Sequence, residues 1–272
     1  MDERFNYSVP FQTLSDFGGS GPLLTEGPGD SGIAFDTSFS DQFTFAYGYA
    51  VDDGQTVGEF GDEGGIGAGN NYHGFELGFI PSDTVGLYFQ FATAYFQDAT
   101  DPNITSLAAD TVRGPLVTND VAALIDDGAI PAPYGRLNAF SVAAEWQITP
   151  SVIFSGWGSF GNLEYRIPDD VPEYIGSPDP GDEDFVAWLV GFVFPDLFLE
   201  GGEGGFTVGQ LPSGDLDGAD KPLIVDVYYS LPINDFLNIV PSAYFITNPN
   251  GNLEGDNDPT IGVGAIRAEF NY

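Results

Sequence analysis

The sequence predicts an all-β protein, an antiparallel up-and-down transmembrane β-barrel of about 12 strands that forms one domain over residues 1–272. Three observations lead to this prediction. Apolar and small or polar residues alternate from end to end, short and long links alternate between the candidate strands, and the charge is concentrated in the long links. Helical periodicity is almost absent, and the longest apolar run, Phe185–Phe194, is about half of the ~20 residues that a spanning helix needs.

Composition and charge exclude several classes of protein. The chain has 272 residues, with six Lys and Arg against 41 Asp and Glu, a formal net charge of −35, no Cys and one His. The missing cysteines exclude a disulfide scaffold and a thiolate metal site, and a single histidine, His73, argues against histidine metal clusters and a Ser-His-Asp relay. Such a negative field repels phosphate backbones, so we expect no nucleic-acid partner. We also expect no enzymatic activity and no cofactor.

Each candidate strand has a bulky apolar face and a small or polar face. Phe43, Phe45 and Tyr47, for example, alternate with Thr44 and Ala46. The polar faces hold Gly, Ala, Ser, Thr, Gln and a few carboxylates, whereas soluble sheets usually display Lys toward solvent. On this pattern we predict strands, in chain order, over residues 5–12, 32–39, 42–51, 72–80, 85–97, 137–147, 152–163, 184–194, 204–211, 222–231, 236–247 and 259–271.

The links between these strands alternate in length, and this alternation favours a barrel over a soluble sandwich. The long links are rich in Gly, Pro, Asp, Asn and Glu. We therefore expect short periplasmic turns and long acidic extracellular loops. The short links are 40–41, 81–84, 149–151, 195–202 and 232–235, and the long ones are 52–71, 98–136, 164–183, 212–221 and 248–258.

Several sequence motifs point in the same direction. Phe-Ile-Thr-Asn-Pro-Asn-Gly at 245–251 precedes Asp-Asn-Asp at 256–258 and Ile-Gly-Val-Gly-Ala-Ile-Arg at 261–267, and Phe-Pro-Asp-Leu occupies 194–197. Together these segments resemble the carbohydrate-selective porin (OprB) family, and its cyanobacterial iron-uptake branch in particular. The resemblance covers about residues 32–272 in order. Family members are longer and carry an S-layer-homology domain, so this chain resembles the C-terminal part of such a barrel, with no S-layer-homology domain present.

The resemblance implies a porin of the cell outer membrane that allows passive diffusion of small hydrophilic solutes and ions. It implies carbohydrates and inorganic cations, including iron, as solutes, and outer-membrane lipid and a homotrimeric assembly as partners. The acidic composition favours cations in the lumen. The alternative is a soluble, secreted, acidic β-sandwich that binds calcium or glycans and purifies without detergent. A third alternative, an acidic secreted hydrolase, has no supporting motif.

The last strand supplies candidate lumen residues. Arg267 and Glu269 share a parity opposite the apolar face of that strand, so we expect both to point into the lumen. There they could pair with each other or with lumen carboxylates such as Asp226 and Glu145. Two interpretations stay open: part of a selectivity lining, or a structural ion pair on the barrel wall.

The longest link, 98–136, contains a segment over 118–128 with the capping pattern of a short helix. If this link folds inward, Asp120, Asp126 and Asp127 would line a constriction that favours cations; the alternative is a loop in solvent.

Acidic clusters in the links offer oxygen ligands for divalent cations. Asp215, Asp217 and Asp220 are the weak calcium candidates, although their spacing does not match an EF-hand loop. A solvated acidic loop is the ordinary interpretation of such a cluster, so we predict no dedicated metal site.

Overall fold

The computed structural model shows one antiparallel sheet of eleven strands, in which each strand pairs with the next along the chain. Within the described part of the chain there is no helix, and so none that could cross a membrane. The structure describes residues 10–15, 31–51, 71–96, 134–166, 182–214, 220–249 and 260–270. The strands are β1 (Ser31–Ser40), β2 (Phe43–Val51), β3 (Asn71–Ser82), β4 (Val85–Phe96), β5 (Tyr134–Thr149), β6 (Val152–Arg166), β7 (Asp182–Pro195), β8 (Glu203–Gly214), β9 (Leu223–Asn234), β10 (Leu237–Thr247) and β11 (Ile261–Phe270).

Short and long links alternate along this sheet, which confirms the prediction from sequence. Because consecutive strands run antiparallel, every short turn lies at one end of the strands, and every long link starts and ends at the other end. We call these two ends the edge with the short turns and the edge with the long links. In the described ranges no ladder joins β1 to β11, so these two are the outer strands. The short turns are 41–42, 83–84, 150–151, 196–202 and 235–236, and the long links are 52–70, 97–133, 167–181, 215–222 and 248–260.

Eleven of the predicted strands correspond to β1–β11, but the strand predicted over 5–12 is wrong for residues 10–12. Pro10–Ser15 lie outside the sheet. The backbone N–H groups of Leu14 and Ser15 donate to the carboxylate of Asp226 on β9, and not to a neighbouring strand. The local alternation of residue types therefore predicted a strand here, although the backbone of this segment is hydrogen-bonded to a side chain and not to another strand.

The two faces of the sheet differ sharply in burial. On β4, Gln90 and Ala92 are 2% and 0% exposed, whereas Phe89 and Phe91 are each 41% exposed. We call the face with the buried residues the inner face and the opposite one the outer face. Many large apolar residues are exposed on the outer face, and the inner face buries small and polar residues beside large apolar ones such as Leu189 and Val240. Buried carboxylate and amide groups behind an exposed apolar face are unusual for a sheet in a water-soluble protein.

Aromatic side chains cover much of the outer face and pack across neighbouring strands. The rings of Phe43 and Phe79 stack at a centroid distance of 4.9 Å, and those of Phe140 and Phe160 lie 5.2 Å apart. Because opposed residues in an antiparallel pair project to the same side, these contacts follow directly from the register of the ladders.

The inner face holds two apolar clusters, a small one of Leu211, Ile224 and Ile246 with Tyr244 packed against it, and a larger one that we call the inner-face cluster. Its members come from β4, β5, β6, β7, β9 and β10, and Phe11 of the Pro10–Ser15 segment belongs to the same cluster. Among the described residues no second layer of strands covers this face. The Pro10–Ser15 segment is therefore the described part of the chain that lies against it. The cluster consists of Phe11, Tyr88, Ala143, Trp157, Ala187, Leu189, Val193, Tyr228 and Val240.

Candidate functional site

The inner face carries the three described strand carboxylates that sequence analysis selected, those of Asp226, Glu145 and Glu269, together with others that it did not name, among them Glu76 and Glu203. Glu76 and Asp226 are 1% and 0% exposed in the middle of β3 and β9. Glu145, Glu203 and Glu269 are partly buried and lie toward the edge with the short turns. Strand alternation places all five on the same side of the sheet as the buried small residues.

Hydrogen bonds between neighbouring strands hold the polar groups of this face. Gln90 Nε2 donates to Glu76 Oε2 at 2.7 Å, from β4 to β3. The hydroxyl groups of Ser141 and Ser159 bond to each other between β5 and β6. Buried polar side chains need such partners because an unsatisfied group pays its desolvation cost in full.

Asp226 receives its hydrogen bonds from the Pro10–Ser15 segment. The backbone N–H of Ser15 donates to Oδ2 at 2.9 Å and that of Leu14 donates to Oδ1 at 3.4 Å. Each carboxylate oxygen thus accepts one backbone donor. Thr207 on β8 lies directly opposite Asp226 in the ladder and is fully buried.

Arg267 and Glu269 lie on the inner face, as their parity predicts. Arg267 Nη2 is 3.9 Å from Glu269 Oε1, and the same nitrogen donates to the backbone oxygen of Gln12. The two side chains are 36% and 37% exposed. A contact of this length between half-exposed groups is weak. The structure therefore brings Arg267 together with Glu269 and the Pro10–Ser15 segment, while Asp226 contacts that same segment from β9.

Glu145 and Glu203 lie near the edge of the sheet with the short turns. Glu203 begins β8, and the hydroxyl of Tyr228 donates to its Oε1 at 3.0 Å. Glu145 stands opposite Ser155 of β6, close to the turn that follows β5. These carboxylates place negative charge on the inner face, near the edge with the short turns.

Sequence analysis did not name Glu76 and Glu203, although a signal for each existed. Glu76 shares its parity with Gly74 and Gly78, the small-residue face of its strand. Glu203 lies one residue before the strand predicted over 204–211, so its parity was not considered.

Several candidate residues lie outside the part that the structure describes. These are Asp120, Asp126 and Asp127 of the longest link, and Asp215 and Asp217 of the calcium candidates. Asp220 is described and exposed, in the link before β9. In the described ranges no group of three or more His, Cys, Asp and Glu side chains is arranged to hold a metal ion.

A row of polar side chains crosses the outer face near the edge with the long links. The ladders place its members opposite one another from β3 to β7, and two pairs are hydrogen-bonded: Thr93 Oγ1 to Asn138 Oδ1 at 3.0 Å, and Asn162 Nδ2 to Asp184 Oδ1 at 3.1 Å. Between this polar row and the short turns, the outer face is apolar. The polar row consists of His73, Thr93, Asn138, Asn162 and Asp184.

Comparison with solved structures shows the fold. The anion-selective porin from Comamonas acidovorans matches 88% of this chain with a TM-score of 0.54 and 13% sequence identity, and the match covers 58% of that porin. The chain has a porin-like fold. At this identity the likeness concerns the fold alone.

Comparison with protein sequences finds relatives of low sequence identity. No protein-family model matches the chain. The uncharacterized protein sll0772 of Synechocystis sp. is 26% identical over 275 residues, which cover 95% of this chain and 46% of the relative. The uncharacterized protein alr4550 of Nostoc sp. is 24% identical over 273 residues, covering 95% of this chain and 42% of the relative. The chain thus spans less than half the length of these relatives, and the comparisons do not confirm the carbohydrate-selective porin family.

Proposed function

We propose that this protein forms a channel of the outer membrane through which small hydrophilic solutes and ions diffuse passively. The observation that carries the proposal is the inverted sheet: Phe89 and Val142 are exposed on the outer face, while Glu76 and Asp226 are buried on the inner one. Exposing so much apolar surface to water is unfavourable, whereas lipid solvates it. A polar interior behind an apolar, lipid-facing surface is the arrangement of a membrane barrel.

The apolar part of the outer face has the dimension that a bilayer requires. On β5 it extends from Phe140 to Ile148, beyond Asn138 of the polar row. At ~3.3 Å per residue and a tilt of ~40°, this stretch has a height of about 20 Å, close to the ~25 Å apolar band of such barrels. The polar row would then lie at the membrane surface on the side of the long links.

The porin-like fold supports this proposal by analogy, and the inverted sheet carries it, since function is argued from the site rather than from the fold. In our proposal the short turns face the periplasm and the long acidic links face the outside. The homotrimer and the solutes implied by the family resemblance, carbohydrates and inorganic cations including iron, belong to the proposal as well.

We further propose that the channel favours cations. Three carboxylates lie on the inner face near the edge with the short turns, those of Glu145, Glu203 and Glu269. The positively charged Arg267 of β11 lies in the same region. Rings of carboxylates lining a pore attract cations and repel anions. The selectivity of the Comamonas porin for anions is a property of that protein.

Solute flux into liposomes tests the proposed function. The chain is refolded in detergent, reconstituted, and diluted into isosmotic solutions of monosaccharide, trisaccharide or a large dextran. We expect swelling with the small sugars and none with dextran, because the pore excludes large solutes. Liposomes containing heat-denatured protein are the control. A protein that stays monodisperse without detergent and causes no swelling would instead be the soluble β-sandwich.

A further inference from the structure

We propose that Pro10–Ser15 form a displaceable plug that narrows the channel by occupying its inner face, an inference that rests on the proposed function. Nothing in the sequence pattern or in the porin-like fold assigns this role to the segment. Three features of the segment carry the proposal: its apolar anchor, its polar anchors, and the polar atoms that the docked position leaves without partners.

Phe11 is the apolar anchor. Its ring is 6% exposed and belongs to the inner-face cluster with residues of β4 to β10. A Cβ atom built on Gly191 of β7 would lie 2.5 Å from the backbone oxygen of Phe206, 2.8 Å from Phe11 Cζ and 2.8 Å from Thr207 Cγ2, so the ring lies against Gly191 and close to Thr207. The glycine leaves the space that the ring fills. Burying an aromatic ring in this way favours the docked segment.

Asp226 and Arg267 are the polar anchors of the segment. The two oxygens of Asp226 accept the backbone N–H groups of Leu14 and Ser15, and Arg267 donates to the backbone oxygen of Gln12. Hydrogen bonds to charged groups are stronger than neutral ones. Because all three contacts are made to backbone atoms of the segment, the sheet fixes the path of its backbone and not only the positions of its side chains.

The docked position also leaves buried polar atoms unsatisfied. Gln12 Oε1, Thr207 Oγ1 and Arg267 Nε are buried and have no hydrogen-bond partner in the structure. Each such atom pays a desolvation cost that water would return if the segment left. The anchors favour the docked segment, whereas the desolvation of the unsatisfied polar atoms opposes docking. Because these two effects oppose each other, the segment can leave the inner face and return to it.

Two single substitutions and their combination release the plug in different ways. Asp226→Asn keeps the shape of the side chain but turns an amide nitrogen toward one of the backbone N–H groups, and Phe11→Ala removes the apolar anchor without changing any charge. Asp235→Asn, in an exposed short turn, and Phe198→Ala, 85% exposed, are the matched controls. Heat-modifiable gel mobility checks that each variant folds.

Single-channel conductance is the first measurement. We expect Asp226→Asn and Phe11→Ala each to raise conductance about twofold, because a peptide no longer takes the place of water in the pore. The double variant should give no more than the larger single effect, because both changes release the same segment. The two controls should conduct as the wild type does.

Thiol labelling at Thr207 is the second measurement, and it does not depend on conduction. The chain has no cysteine, so Thr207→Cys gives one thiol, close to the Phe11 ring. A positively charged methanethiosulfonate should label it about tenfold faster in both the Asp226→Asn and the Phe11→Ala backgrounds than in the chain with neither change, because labelling requires the segment to move away.

The two measurements separate the plug from the channel. Equal conductance and equal labelling in wild type and variants, in protein that conducts, would overturn the plug and leave the channel intact. Absence of conductance in every variant, with or without faster labelling, would overturn the channel itself and with it the plug. Raised conductance with faster labelling in both release variants supports the proposal.

Discussion

Gln90 Nε2 on β4 donates a 2.7 Å hydrogen bond to Glu76 Oε2 on β3, and both side chains are almost completely buried. Their neighbours on the opposite face, Phe89 and Leu77, are 41% and 44% exposed. A pair of polar groups is thus enclosed where a water-soluble sheet would bury its apolar side chains. This inversion is the basis of the proposed location in a membrane.

Gln90→Leu tests how much this pair contributes to stability. The substitution removes the Gln90 donor from a buried carboxylate, so we expect the free energy of unfolding to fall by about 1–3 kcal/mol. Urea unfolding from lipid vesicles, followed by tryptophan fluorescence, measures it. Gln147→Leu, at an exposed position of β5, is the control and should change stability little. Equal unfolding midpoints for the two variants would mean that the Glu76–Gln90 bond does not stabilise the inner face.

An outer-face charge tests whether that face contacts lipid. Val142 and Asn138 lie on the same strand and the same face, in the apolar part and in the polar row respectively. Val142→Arg should cost about 2–4 kcal/mol of stability in lipid, and Asn138→Arg about 0–1 kcal/mol, because the penalty falls toward the membrane surface. Folding yields into vesicles, measured by gel mobility, compare the two. If both variants fold equally well, the outer face does not lie in lipid.

Glu145→Gln tests the charge lining. The change removes one negative charge from the inner face and keeps the size of the side chain, so we expect the permeability ratio of potassium to chloride to fall about twofold. The reversal potential in a KCl gradient measures this ratio. Asp235→Asn removes the same charge from an exposed turn and should leave the ratio unchanged. A fall of the same size in the control would assign the effect to overall charge.

The sequence was sufficient to predict β1–β11 because the strands alternate with period two and their links alternate in length. Parity predicts that Arg267 and Glu269 share one face, and in the structure Arg267 Nη2 lies 3.9 Å from Glu269 Oε1. Pairings between strands required the register, so the bond from Gln90 to Glu76 could not be predicted even though each residue lies on a small-residue face.

The Pro10–Ser15 segment shows where local patterns fail. Its bonds to Asp226 join residues more than 200 positions apart in the chain, and no local periodicity encodes such a contact. The alternation around residues 5–12 predicted a strand because it resembled the strands that do form. Only the folded sheet shows that the partner of this backbone is a buried carboxylate.

Single-channel recording in a planar bilayer is the most direct test of the central claim, that this inverted sheet forms a cation-favouring membrane channel. The wild-type chain is refolded in detergent and added to one side of the bilayer under a KCl gradient. From this claim we expect discrete current steps with a reversal potential of the sign set by cations. A protein that is β-rich and monodisperse without detergent, and that gives no current, would contradict it.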